Sequence, residues 1–84
     1  MPTILPIHPD VIGQAKKHNL FKKFTKCCAL IVTDLKHPSL NVELMKPKEL
    51  EIYSFRLDRK YRAIFLFRDS KKSIEIVAIT VHYH

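Results

Sequence analysis

Side chains suited to phosphodiester chemistry occur in the second half of the sequence. Arg56 lies in "FRLD", Arg62 lies in "KYR", and His82 lies near the carboxyl terminus. Arginine can hold a phosphate through paired hydrogen bonds, and histidine is a candidate proton donor near neutral pH. Glu43 is a candidate base. Glu, Arg, His and Tyr together suit metal-independent RNA cleavage, in which a base removes a ribose 2′-OH proton, the oxygen attacks the neighbouring phosphorus, cations stabilise the added charge, and an acid protonates the leaving 5′-oxygen.

The hairpin around "LDRKY" is predicted to place the two arginines opposite each other. Residues directly opposite in an antiparallel pair share a face, and the faces alternate along each strand. An odd-length connection, which pairs Leu57 with Tyr61, brings the apolar residues of both strands to one face. Arg56 then lies opposite Arg62 on the other face, where like charges repel unless an anion lies between them. If the final strand lies beside "KYRAIFLF", His82 reaches the same surface.

The arginines and histidines also allow two alternative roles. The two guanidinium groups can extend into solvent or meet a carboxylate such as Glu43 or Glu75. His82 and His84 would share a face of a strand and could bind a metal, but no third and fourth ligand at a recognisable spacing accompanies them. A phosphate site is therefore one of several interpretations.

The hydrophobic pattern predicts an α+β fold, with two N-terminal helices packed on a mostly antiparallel sheet of four to five strands in the order β-α-α-β-β-β-β. One helix starts at "HPD", and the apolar period over residues 20–36 indicates a second that ends before Pro38. Strands are expected at residues 3–7, 41–45, 51–58, 60–69 and 73–83. The last contains a continuous apolar run, typical of a strand covered on both faces.

Composition limits the class of protein. With 84 residues, 46% of them hydrophobic, the chain is predicted to form one domain, residues 1–84. Its charge of +7 favours polyanions or an acidic protein as partners. No apolar run is long enough to cross a bilayer, and the start lacks the pattern of a secretion signal, so an intracellular protein is expected. Cys27 and Cys28 are adjacent, which disfavours a disulfide between them and favours reduced, partly buried thiols.

The segment "YSFRLDRKYRAIFLF", followed by an apolar strand that ends in "HY", resembles the RelE/ParE superfamily of toxins, the small basic partners of bacterial type II toxin–antitoxin pairs. The resemblance covers nearly the whole chain, and the terminal His-Tyr is similar to the YoeB-like branch. It implies ribosome-dependent cleavage of messenger RNA. Matched by position, it implies the following roles: Glu43 as general base, Arg62 as the phosphate-stabilising arginine, Arg56 as a second phosphate contact, His82 as general acid, Tyr83 as the residue that orients the RNA, and Lys46 and Lys48 as supporting backbone contacts.

The resemblance also implies partners and alternatives. The expected partners are an acidic antitoxin and mRNA on the ribosome, in the cytoplasm, with no metal, no cofactor and no membrane. The assembly is expected to be a homodimer or a toxin–antitoxin hetero-oligomer. His84 follows the terminal pair and could replace His82 as the acid. The alternatives are a ParE-like toxin that inhibits a DNA gyrase, and a catalytically inactive module that binds antitoxin or RNA.

Overall fold

The computed structural model describes residues 2–81, and its elements follow the predicted order. The helices are α1 (Pro9–Lys17) and α2 (Phe21–Thr33), and the strands are β1 (Thr3–Ile4), β2 (Glu43–Leu44), β3 (Ile52–Arg56), β4 (Tyr61–Arg68) and β5 (Ser73–Val81). Short 3₁₀ turns at Pro38–Leu40 and Lys48–Leu50 flank β2. The sheet has the order β1-β5-β4-β3-β2, in which β1 and β5 are parallel and the remaining neighbours antiparallel. The predicted α+β class is confirmed.

Helix α1 begins where the sequence offers a cap. The Nδ1 atom of His8 accepts a hydrogen bond from the backbone N–H of Asp10 at 3.0 Å. Pro9 occupies the first turn, where its missing N–H would have no helical partner. Val11 and Ala15 are buried in the core, so one side of this short helix is fixed against the rest of the protein.

Helix α2 ends at Thr33, earlier than the predicted end at Lys36. The carboxylate of Asp34 accepts a hydrogen bond from the backbone N–H of Lys36 at 3.2 Å, and Asp34 itself has an extended backbone. Such side-chain bonds to the backbone compete with helix propagation. His37 caps the following 3₁₀ turn through a bond from the N–H of Ser39 to its Nδ1 atom, so it starts a new turn and does not end the helix.

The β3–β4 hairpin has the predicted register. Tyr53 pairs with Phe65, Phe55 pairs with Ala63, and Arg56 pairs with Arg62. The apolar residues on one face of the hairpin join the helices in a core, whose largest fully buried side chains are Phe55, Phe65, Ile31, Leu40 and Ile74. The arginines lie on the opposite face, called here the open face.

A β-bulge sets which side chains at the end of β5 share the open face. Phe65 pairs with Ile76, whereas Ile64 pairs with Ala78, so Val77 is an extra residue. The bulge places Ile79 in the core and Thr80 opposite Arg62. Val77 is 40% exposed, so the prediction that both faces of this strand are covered is wrong. Within residues 2–81 no helix is long and apolar enough to cross a membrane.

Candidate phosphate-binding site

Arg62 is a buried cation on the open face, with only 4% of its surface exposed. Its Nε atom donates to the hydroxyl of Ser54 at 2.9 Å. Its Nη2 atom donates to the carbonyl of Asn41 and, at 3.4 Å, to the carbonyl of Ser54. Burying a charge is unfavourable unless hydrogen bonds replace its hydration, and these three acceptors supply such bonds. The guanidinium is therefore fixed in place before any ligand arrives.

Glu43 lies beside this guanidinium. It pairs with Ser54 across β2 and β3, and Ser54 is a diagonal neighbour of Arg62 across β3 and β4. The carboxylate Oε2 lies 3.9 Å from Arg62 Nη2, and the Glu43 side chain remains 52% exposed. This contact is longer than a charge-assisted hydrogen bond, so neither group is fully satisfied by the other. Of the two carboxylates considered as partners for the arginines, Glu43 lies beside Arg62. The other, Glu75, pairs with Arg68, whose Nε atom lies 2.8 Å from Glu75 Oε1.

Both groups line one open groove of about 650 Å³. Arg62, Glu43 and Lys46 supply its charged wall. The remaining lining residues are Leu44, Met45, Ser54, Ile64, Thr80 and Val81. The groove therefore combines a fixed cation, a half-exposed carboxylate and an apolar wall, which suits a ligand with both phosphate and apolar parts.

Arg56 does not join this groove, although it lies directly opposite Arg62 in the ladder. Its side chain is exposed, and its Nε atom donates to the carbonyl of Asp58 at 3.3 Å. It lines a separate depression of about 210 Å³ with Lys23 and Lys26. The predicted pairing is confirmed, but the two arginines line separate depressions and bond to different acceptors, so their ladder pairing alone does not create a shared anion site.

The two predicted supporting lysines also differ in position. Lys46 lines the groove, whereas Lys48 lies in the 3₁₀ turn Lys48–Leu50 and does not line it. His82, Tyr83 and His84 lie outside the described residues. Val81, the last described residue, belongs to the groove wall, so His82 follows a groove residue directly in the sequence.

Asp58 organises the turn that separates the two arginines. Its Oδ1 atom accepts hydrogen bonds from the backbone N–H groups of Lys60 and Tyr61, each at 2.8 Å. Burial raises the pKa of this carboxyl, but the two backbone bonds and the nearby charges of Lys23 and Arg56 outweigh it, and the net pKa is lowered. The turn is thus held by an ionised carboxylate.

The adjacent cysteines are free and half-buried, as predicted. The Sγ atom of Cys27 donates to the carbonyl of Arg56 at 3.5 Å. Burial raises the pKa of Cys27, although Lys26 and Lys23 oppose the shift. Burial and the neighbouring Cys27 raise the pKa of Cys28 to about 12. Thiols that stay protonated are poor nucleophiles, which agrees with a packing role. Within residues 2–81, no three His, Cys, Asp or Glu side chains are grouped as metal ligands.

Sequence reasoning missed Ser54 and Asn41, the residues that hold Arg62. Ser54 could have been found, because strand alternation places it on the same face as Arg56 and diagonal to Arg62. Asn41 had no such signal. Its carbonyl reaches Arg62 because the residue adopts a left-handed conformation with φ 44° after the 3₁₀ turn, and this depends on tertiary structure.

No family model and no curated protein matches the sequence. Solved structures match nearly the whole chain. A YoeB/ParE toxin from Agrobacterium tumefaciens is 14% identical with a TM-score of 0.72, and the match covers 99% of this chain and 100% of that one. The YoeB–YefM complex from Staphylococcus aureus is 19% identical with a TM-score of 0.70, and the match covers 99% of each chain. The archaeal RelE–RelB complex from Pyrococcus horikoshii is 16% identical with a TM-score of 0.70, and the match covers 95% of this chain and 92% of that one. Identities this low establish the fold alone, and the chain has the fold of the RelE/ParE toxins, with YoeB structures among its matches.

Proposed function

We propose that this protein is the toxin of a type II toxin–antitoxin pair and cleaves mRNA held by the ribosome. The observation that carries the proposal is the half-exposed carboxylate of Glu43, 3.9 Å from the buried guanidinium of Arg62 in one groove. A base beside a fixed cation is the minimum needed to activate a ribose hydroxyl next to a phosphate. The shared fold with the YoeB and RelE structures supports the same assignment.

In the proposed reaction, Glu43 removes the proton of a ribose 2′-OH, and the resulting oxygen attacks the adjacent phosphorus. The bond from phosphorus to the 5′-oxygen breaks, leaving a 2′,3′-cyclic phosphate on one fragment. Arg62 stabilises the negative charge that develops on the phosphate oxygens. His82, or His84 in its place, protonates the departing 5′-oxygen, and Tyr83 orients the RNA. The side chains supply acid, base and cation, so the proposed reaction is metal-independent.

The lysines and the remaining arginine are assigned to RNA binding. Lys46 lies in the groove and is proposed to contact the RNA backbone near the reacting phosphate. Arg56 lies in the neighbouring depression, so we assign it a more distant phosphate than the one held by Arg62. Lys48, which lies outside the groove, is proposed as a peripheral backbone contact.

An acidic antitoxin is the proposed protein partner. The chain carries a net charge of +7, and an acidic segment laid over the groove would both neutralise this charge and exclude RNA. The similar structures include complexes, among them YoeB with YefM and RelE with RelB. The assembly is proposed to be a toxin–antitoxin hetero-oligomer or, for the toxin alone, a homodimer in the cytoplasm.

Primer extension on mRNA bound to purified translating ribosomes tests the proposed activity. Wild-type protein is expected to produce new 5′ ends, and Arg62→Ala is expected to form them about 10²- to 10³-fold more slowly. Arg68→Ala is the matched control, because Arg68 lies on the same strand but is exposed and pairs with Glu75. Equal cleavage by wild type and Arg62→Ala would contradict the mechanism. Intact mRNA together with inhibited DNA gyrase would instead select the ParE-like alternative, and no effect on either would select an inactive binding module.

A further inference from the structure

Ser54 lies between the proposed base and the proposed phosphate-binding arginine. It is 3% exposed, pairs directly with Glu43 across β2 and β3, and is a diagonal neighbour of Arg62 across β3 and β4. A serine is small enough for both longer side chains to reach across it on the open face. Its position alone therefore relates it to both reactive groups.

The hydrogen bonds of Arg62 show what the serine hydroxyl does. A guanidinium donates from Nε, Nη1 and Nη2 within one rigid plane. The Ser54 hydroxyl accepts from Nε, and the carbonyls of Asn41 and Ser54 accept from Nη2. These bonds lie on two different nitrogens, so they fix both the position of the plane and its rotation.

The same bonds also determine which nitrogen is left for a ligand. Within residues 2–81 the Nη1 atom of Arg62 donates no hydrogen bond. If the Ser54 hydroxyl were missing, Nε would become a buried donor without its partner, which is unfavourable. The plane would then rotate to recover a bond, and the carboxylate of Glu43, 3.9 Å away, is the nearest acceptor of opposite charge.

We propose that Ser54 is a positioning residue, whose hydroxyl holds the Arg62 guanidinium so that Nη1 is presented to the reacting phosphate and Glu43 stays free to act as base. This rests on the proposed RNA cleavage. Ser54 is one of the residues that line the groove, and its proposed effect on the reaction is transmitted through the hydrogen bond between its hydroxyl and Arg62.

Cleavage by a set of serine variants tests this role. Ser54→Ala is expected to lower the cleavage rate about ten- to a hundredfold, because small misplacements of reacting groups have effects of this size. Ser54→Thr keeps the hydroxyl and is expected to recover most of the rate. Ser73→Ala is the matched control, since Ser73 is also a buried serine in the sheet but bonds to Asp69. It is expected to cleave like wild type.

A double-mutant cycle separates positioning from a general effect on folding. In an Arg62→Lys background, which has no Nε donor, Ser54→Ala is expected to cause almost no further loss. A loss as large as in wild type would overturn the proposal, as would wild-type cleavage by Ser54→Ala itself.

The hydrogen bond can also be tested in the unmutated protein, in case Ser54→Ala does not fold. The Nε–H proton of Arg62, assigned in ¹H–¹⁵N spectra by its absence in Arg62→Lys, is expected to exchange slowly with solvent. Fast exchange, as expected for the exposed side chain of Arg59, would overturn the proposed role of Ser54. Absence of wild-type cleavage on ribosomes would instead reject the proposed function, and this exchange measurement would still report on the contact itself.

Discussion

Arg56 and Arg62 lie opposite each other across β3 and β4, and yet their surroundings differ sharply. Arg62 is buried and bonded to acceptors on Ser54 and Asn41, whereas Arg56 is exposed and bonds to the carbonyl of Asp58. The difference arises from what lies beyond the hairpin. The segment carrying Asn41 and Glu43 covers one arginine, while the other faces a separate depression near α2. Two residues that are paired in the same ladder therefore differ: Arg62 is a fixed, buried cation, and Arg56 is an exposed surface side chain.

The largest expected effect is on cleavage. Arg62→Ala removes the fixed cation and is expected to lower the cleavage rate on ribosomes about 10²- to 10³-fold, the usual result of losing one preorganised charge-stabilising donor. Arg56→Ala removes a more distant contact and is expected to lower it less than about tenfold, mainly through RNA binding. Cleavage rates measured at saturating and subsaturating protein distinguish a loss in the chemical step from a loss in RNA binding. An equal loss in both variants would show that the difference in burial does not reflect function.

The second effect is on stability. Arg62→Ala leaves the buried hydroxyl and carbonyl of Ser54 without this donor and is expected to lower the free energy of unfolding by about 1–3 kcal/mol. Arg56→Ala, on the surface, is expected to change it by less than about 0.5 kcal/mol. Urea denaturation at neutral pH measures both. A larger destabilisation by Arg56→Ala would contradict the burial difference.

The lysines extend the same comparison to weaker contacts. Lys46 lines the groove and Lys48 does not. Lys46→Ala is therefore expected to weaken binding of a non-cleavable 2′-O-methyl RNA several-fold more than Lys48→Ala, and to reduce the dependence of binding on salt by about one phosphate contact. Binding titrations at several salt concentrations measure this. Equal effects of the two substitutions would place the RNA outside the groove.

The smallest effect concerns the turn between the arginines. Because the folded-state pKa of Asp58 lies below its ordinary value of 3.8, its ionised form stabilises the fold above that pH, and this contribution is lost as pH falls through the lowered pKa. Asp58→Asn keeps the Oδ1 acceptor but cannot titrate. Urea unfolding midpoints are measured at pH values above and below 3.8. With falling pH they are expected to decrease less in the variant than in wild type, and an equal decrease would contradict the stabilising role of ionised Asp58.

The sequence was sufficient to predict features that depend on strand alternation. The pairing of Arg56 with Arg62 follows from the apolar residues of two strands and the length of their turn, and the structure has the same register. The α+β class and the order of elements follow from the change of hydrophobic period. The alternative that an arginine could meet a carboxylate such as Glu43 or Glu75 also agrees with the structure, in which Glu43 lies 3.9 Å from Arg62.

Features that depend on distant segments could not be predicted. Arg62 is held in part by the carbonyl of Asn41, which a left-handed turn brings to it. The bulge at Val77 has no distinct sequence signal inside a continuous apolar run, although it decides that Thr80 shares the open face with Arg62. One local feature was missed as well: α2 ends early where the carboxylate of Asp34 accepts a hydrogen bond from the backbone N–H of Lys36, which apolar periodicity does not report.

The most direct test of the proposed chemistry is the nature of the cleaved ends. On translating ribosomes, wild-type protein is predicted to leave a 2′,3′-cyclic phosphate and a free 5′-OH, and a single 2′-deoxy substitution at the cleaved nucleotide is predicted to prevent the cut. Glu43→Gln is predicted to lose this activity, while Glu49→Gln, an exposed glutamate in the 3₁₀ turn outside the groove, retains it. Cleavage that persists at the 2′-deoxy position, or that is undiminished in Glu43→Gln, would contradict the proposed roles of the groove.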